Sequence, residues 1–245
     1  MKFTLSLFIL ALCFSCTTAQ SVYKIKPKKK VNIAVPEPSD ICLAEDKQSY
    51  YVVSDDGLLF QLDLDFKVIK KSKLQFNDAE GVIHYKSKVY VVEERIRMVA
   101  IVDMNEDEIV AKKEIPYAGG RNKGFESICY NTAREKFILF TEKDPITLFE
   151  VTQLDADGVA AQVTNRKEID LSGDISSVTF YKGRLYVLSD ENHCVYRMNP
   201  NTYKVEVTWK IAVLNPEGIC FSPSGDLIIV SDDMQEVNIF DFPTE

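Results

Sequence analysis

Residues 217–233 read EGICFSPSGDLIIVSDD, and residues 39–56 read SDICLAEDKQSYYVVSDD. Each is an apolar stretch, a short polar turn, a second apolar stretch rich in β-branched residues and a Ser-Asp ending. That is the pattern of a β-hairpin. It recurs as AEGVIHYKSKVYVVEER at 79–95, ESICYNTAREKFILFTEK at 126–143 and SSVTFYKGRLYVLSDE at 176–191. Aligned on Ile41, Val82, Ile128, Val178 and Ile219, the copies are spaced by 41, 46, 50 and 41 residues.

A β-rich repeat of roughly 40–50 residues is the signature of a propeller blade. The first copy reads internally as four strands, A at 40–44, B at 50–54, C at 58–64 and D at 68–76. In strand C, Phe60, Leu62 and Leu64 alternate against Gln61 and Asp63. No segment sustains a 3.6-residue apolar period, so helix is expected to be scarce. The last copy ends at Phe242 after its third strand, while residues 31–35 precede the first strand A and have no blade of their own. The expectation is an all-β chain with one domain over 31–242. It is a five-bladed β-propeller of four-stranded antiparallel blades, the ring closed by the N-terminal strand so that no open edge remains.

Residues 1–20, MKFTLSLFILALCFSCTTAQ, read as an export signal. Lys2 precedes an apolar run over 3–14 that is too short to span a bilayer comfortably. Leu12-Cys13-Phe14-Ser15-Cys16 resembles a lipobox, which predicts a signal peptide over 1–15, a lipid on Cys16 and a tether over 16–30. Cleavage after Thr17-Thr18-Ala19 by an ordinary signal peptidase is the alternative, giving a periplasmic or secreted chain. Removing 1–15 takes away one charge, Lys2, and moves the formal net charge from −8 to −9. So acidic a body excludes a general nucleic-acid binder. The basic run Lys24, Lys26, Lys28, Lys29 and Lys30 is either a solvated tether or, with lipid on Cys16, a contact for anionic headgroups. The expected partners are the membrane, through Cys16, and an unknown small molecule or envelope protein.

Four further cysteines lie in the body, and export invites a disulfide reading. The repeat argues against it. Cys42, Cys129 and Cys220 follow the anchor residue of their copies, where the other two hold Ile83 and Thr179. A position that accepts Cys, Ile or Thr is a small packed one, so buried, reduced thiols are expected.

Strands A and B form a hairpin, so the start of A and the end of B share one edge of the blade. Closing the ring gathers those edges around one mouth of the channel. The starts of A carry Ser39, Glu80, Glu126, Ser176 and Glu217, and the ends of B carry Asp55, Glu94, Glu142, Asp190 and Asp232. Eight carboxylates on one rim repel by about 1 kcal/mol per close pair in water and more where water is excluded. Cations, basic neighbours or raised pKa values must relieve them. Arg95, Arg121, Lys123 and Lys143 are the basic candidates. Hard oxygen ligands without His or Cys suit Ca²⁺ or Mg²⁺, with Glu80, Glu126 and Glu217 the candidate metal ligands and the remaining acids ligand-facing. The competing reading is that these side chains only tie the strand-end loops through backbone hydrogen bonds. Two histidines exclude chemistry built on several; His84, placed on the side of Glu80 by alternation, is a candidate base or a packed ring, and His193 has no assigned role. The loop Gly119-Gly120-Arg121-Asn122-Lys123-Gly124 leads to Glu126 and is either an anion-holding turn or a plain connection.

The order of these motifs resembles the SdiA-regulated, YjiK-like family of bacterial envelope proteins. The matching residues are Pro38-Ser39-Asp40-Ile41, Ala79-Glu80-Gly81-Val82, Gly124-Phe125-Glu126-Ser127-Ile128, Asp174-Ile175-Ser176-Ser177-Val178 and Pro216-Glu217-Gly218-Ile219, with strand-B endings such as Val53-Ser54-Asp55 and Val230-Ser231-Asp232. The resemblance implies a propeller at the cell envelope and little chemistry. A more distant likeness, to esterase-like phytase propellers, rests on the Glu-Gly pattern; this chain departs from it at Ser127 and lacks a His or Arg cluster. Three functions follow: a cation-holding binding module, a metal-assisted hydrolase of phosphoesters or lactones, and an interaction protein without metal.

Overall fold

Every side chain of Tyr50–Ser54 is buried, and the arrangement of sheets explains why this strand reads as an unbroken apolar run. Tyr50 and Val52 enter a core shared with the last blade, while Tyr51 and Val53 enter one shared with the second. Tyr90 and Val92 of the second blade likewise face Phe137 and Leu139 of the third. The third and fourth blades share Phe140 and Val187, and the fourth and fifth share Leu188 and Ile229. Five apolar clusters thus sit at five blade-to-blade joints. Each fully buried Val, Leu, Ile or Phe contributes about 1.5–3 kcal/mol, so the joints hold the ring together.

This is a computed structural model, and it describes residues 21–117 and 124–242. Cys16, Arg121 and Lys123, and with them the expected signal peptide and most of the glycine-rich loop, lie outside the described residues. The described residues contain no helix. Blade 1 is β3 (Pro38–Leu43), β4 (Tyr50–Ser54), β5 (Leu58–Leu62) and β6 (Val68–Lys71). Blade 2 is β7 (Ala79–Tyr85), β8 (Lys88–Glu93), β9 (Met98–Asp103) and β10 (Glu108–Glu114). Blade 3 is β11 (Ser127–Asn131), β12 (Lys136–Phe140), β13 (Thr147–Thr152) and β14 (Gln162–Glu168). Blade 4 is β15 (Ser177–Tyr181), β16 (Arg184–Ser189), β17 (Cys194–Met198) and β18 (Val205–Lys210). Blade 5 is β19 (Pro216–Phe221), β20 (Leu227–Ser231) and β21 (Glu236–Phe240), completed by β2 (Lys29–Asn32).

The N-terminal closing strand pairs antiparallel with β21, Lys29 opposite Ile239 through Asn32 opposite Glu236. It starts two residues earlier than 31–35 and stops short of Ile33. The stretch expected as a tether also takes part in the sheets. Ser21–Lys24 forms β1, a fifth strand running parallel along β18. Lys28 sits between Asp226 and Asp241, 2.7 Å from each, and Lys30 is 2.5 Å from Glu236. Two lysines of the basic run therefore clasp the last blade rather than standing free. Cys42, Cys129, Cys194 and Cys220 are free and buried. Trp209, on β18, is buried against Phe242 and Tyr186 at the joint of blades 4 and 5.

Candidate functional site

The rim is built by a backbone device. Glu37, Asp78 and Asn215 adopt left-handed φ angles of 42°, 58° and 40°. The amides of Asp55, Glu94 and Asp232 donate to their carbonyls. Immediately afterwards the register of β3, β7 and β19 slips by one residue, so that Ser39, Glu80 and Glu217 are the bulged residues. A bulge re-aims the side chain it carries, here toward the mouth. Blades 3 and 4 need no bulge, because Glu126 and Ser176 precede their strands and donate to Phe140 and Leu188.

The residues one step further along each strand A close the channel. They are Asp40, Gly81, Ser127, Ser177 and Gly218. A Cβ on Gly218 would lie 2.7 Å from the Asp40 Cα, which leaves room for hydrogen alone. Asp40 accepts from the Val82 amide at 2.8 Å and from the Ser177 hydroxyl at 2.7 Å, and Ser177 Oγ accepts from the Ile219 amide at 3.3 Å. Burial raises the Asp40 carboxyl to about 8 against these donors.

On one side of this plug lies an acidic cavity of about 360 Å³. Seven of the eight expected acids line it: Asp55, Glu80, Glu126, Glu142, Asp190, Glu217 and Asp232. Glu94 does not. Its carboxylate turns back to accept from the Gly124 amide at 3.0 Å. Burial first, then the charges of Asp55 and Asp78, raise Glu80 to about 9. Burial, Asp190 and Asp232 raise Glu217 to about 8. Glu126 is raised by burial and by Glu80 and Glu94. Asp55, Asp78, Asp190 and Asp232 are also raised, burial leading in each. Asp78 has Asp55 and Glu94 as acidic neighbours, and Glu94 neighbours Glu126 in turn. Such a chain needs protons or a cation between its members.

Two acids that lie outside the repeat alignment belong here. Asp174 lines the cavity, and its carboxylate accepts from the Ser189 hydroxyl at 2.8 Å and the Glu191 amide at 3.1 Å. Asp78 forms, with Asp55 and Glu80, the group of three among the described residues whose carboxylate oxygens lie within 4.8 Å of one another. Of the expected metal ligands only Glu80 is in that group; Glu126 and Glu217 stand elsewhere on the rim. The signal was available, since Asp78 and Asp174 each stand two residues before the rim residue of their copy. The basic relief is thin: Arg95 meets Asp78 at 2.7 Å, and Lys143 bridges Glu142 at 2.8 Å and Glu191 at 3.2 Å. The Ser39 hydroxyl and one oxygen each of Asp190 and Asp232 are buried without a hydrogen-bond partner.

His84 is not at this mouth. It lies at the far end of β7, about 13 Å along the strand from Glu80 at 3.3 Å per residue, and the bulge breaks the alternation that would align the two. Its ring stacks on Tyr51 at 5.2 Å, and its Nδ1 accepts from the Glu45 amide at 3.1 Å.

The sequence model described as SdiA-regulated matches residues 14–240, nearly the whole chain. The chain belongs to the SdiA-regulated family. Among solved structures, this SdiA-regulated protein is similar to the glutaminyl cyclase of Myxococcus xanthus, with 14% identity over 89% of this chain and 97% of that one and a TM-score of 0.68. It is also similar to a streptogramin B lyase, with 17% identity over 88% and 73% of the two chains and a TM-score of 0.50. At these identities the likeness shows a shared propeller fold.

Proposed function

We propose that this SdiA-regulated propeller is a cell-envelope binding module that holds a divalent cation, Ca²⁺ or Mg²⁺, at its acidic mouth. Through the cation it would hold an oxygen-rich small molecule or a partner protein. The observation that carries this reading is the convergence of Asp55, Asp78 and Glu80 within 4.8 Å, two of which, Asp55 and Glu80, line a cavity where acids far outnumber bases. The Ser39 hydroxyl, buried and unpartnered on the same wall, adds an oxygen donor. Oxygen-only ligation is what Ca²⁺ and Mg²⁺ take. Envelope location belongs to the same proposal, with lipid on Cys16; mass spectrometry of the mature N-terminus tests it, an acylated Cys16 supporting the anchor, an unmodified N-terminus after Ala19 opposing the anchor but not export, and an uncleaved N-terminus opposing both.

The test of the cation is thermal unfolding with chelator and with added Ca²⁺. A ligand at one hundred times its dissociation constant stabilises by about 2.7 kcal/mol, so the wild type should gain several degrees and Glu80→Gln should not. An identical transition in chelator and in millimolar Ca²⁺ or Mg²⁺ removes the metal from the account.

A second reading is a metal-assisted hydrolase of phosphoesters or lactones. It is favoured by Glu80 at about 9 and Glu217 at about 8, carboxyls that exchange protons near neutral pH as general acids and bases do. Turnover abolished by Glu217→Gln supports it, and no turnover across a panel of phosphoesters and lactones counts against it.

A further inference from the structure

We propose that the mouth opposite the acidic one binds a free small amphiphile, with its apolar body in the channel and one anionic head at the rim. Beyond the plug the five innermost strands enclose a cavity of about 560 Å³, within the roughly 300–1,000 Å³ of small-molecule sites. The five anchors Ile41, Val82, Ile128, Val178 and Ile219 form its floor. Two residues further out stand Leu43, His84, Tyr130, Phe180 and Phe221, of which all but Phe221 are only partly buried. Between these tiers lie Cys42, Cys129 and Cys220, whose thiols burial pushes far up. Neutral thiols are apolar wall and not metal ligands. Burial also lowers His84, which keeps its ring uncharged at neutral pH.

The anchors and the tier above them present apolar side chains to the cavity, with Thr179, Tyr181, Ser222 and Ser224 adding polar groups, and an apolar guest gains dispersion contacts with the apolar part of that wall. The sign of the head group follows from the rim. No carboxylate lines the cavity, and its charged lining residues are Lys47 and Lys182, both exposed on A–B turns. Neither has a carboxylate within ion-pair distance among the described residues. Lys86 and Arg134 on two other A–B turns are occupied by Asp155 and Glu150. One end of the channel is thus lined by carboxylates and the other by apolar side chains under two available cations.

Calorimetric titration with decanoate, decanol and decylammonium tests this. Decanoate should bind one to one and more tightly than decylammonium. Lys47→Ala combined with Lys182→Ala should weaken decanoate about tenfold, as loss of roughly 1.4 kcal/mol of charge attraction would, and leave decanol unchanged. Leu43→Trp, which fills the cavity, should weaken both, with an unchanged circular dichroism spectrum showing that the variant folds. The proposal is overturned by no saturable decanoate binding at about 1 mM, by binding indifferent to both sets of substitutions, or by decylammonium binding as well as decanoate. Pelleting with anionic phosphatidylglycerol vesicles that decanoate does not compete would also overturn it, in favour of a membrane surface.

Discussion

The Ser177 hydroxyl donates to the Asp40 carboxylate at 2.7 Å, joining residues 137 positions apart across the propeller axis. With the Val82 amide on the other oxygen, this one carboxylate ties blades 1, 2 and 4 at the plug that separates the two cavities. Asp40→Ala leaves buried donors without an acceptor and should cost about 2–4 kcal/mol, and Ser177→Ala about 1. Denaturant unfolding of both single variants and the double measures this, and a double equal to the sum of the singles would show that the bond does not couple them.

The same group sets a pH dependence. Asp40 titrates at about 8 in the folded state and near 3.9 when unfolded. Between those values the folded chain holds a proton that the unfolded chain has lost. The stability this group contributes is therefore complete below about pH 4 and is lost as pH rises through about 8. Glu80 at about 9 and Glu217 at about 8 act in the same direction. The urea midpoint should fall from pH 5 to pH 9, and Asp40→Asn, which stays neutral, should flatten part of that fall. A slope identical in wild type and variant would contradict the assignment.

Ring closure makes a prediction about the N-terminus. β1 is exposed at all four residues, whereas β2 completes blade 5 and brings Val31 against its core. A chain beginning at Lys28 should keep its melting temperature within a few degrees. One beginning at Ile33 exposes the edge of β21 and should aggregate or melt at least about 10 °C lower. Equal stability of the two would mean that the ring does not depend on this strand.

The repeat was legible because each blade writes the same hairpin again, and strand B could be bounded at Tyr50–Ser54 from its apolar run alone. Seven of eight rim acids followed from repeat equivalence. Asp78 did not, because the copies were aligned from the rim residue onward and the left-handed positions before it hold three residue types, Glu37, Asp78 and Asn215. The bulges that re-aim Glu80 and part it from His84 leave no mark on a strict period of two. Ser21–Lys24 reads as solvated tether because its pairing to β18 comes from proximity and not from pattern.

Cation binding at the mouth must displace protons. Glu80 at about 9 is protonated at neutral pH, and a bound Ca²⁺ needs its carboxylate. Affinity should rise with pH up to about 9, and calorimetry at pH 7 in buffers of different ionisation enthalpy should show release of about one proton. Binding with no proton release would place the ion away from Glu80.

Arg95 gives a prediction of opposite sign to a structural role. It lies 2.7 Å from Asp78, and its side chain is 64% exposed. A unit charge about 4 Å from another is worth about 1 kcal/mol in water. Arg95→Gln should therefore tighten Ca²⁺ binding about fivefold, measured by titration at fixed ionic strength. Weaker binding would make Arg95 a support for the site and not a competitor.

The most direct measurement is electron density at the acidic mouth in a crystal grown with millimolar Ca²⁺. The account predicts a peak about 2.3–2.6 Å from oxygens of Asp55, Asp78 and Glu80, the distances Ca²⁺ keeps from its ligands. A mouth with no ion between these three carboxyls would contradict it.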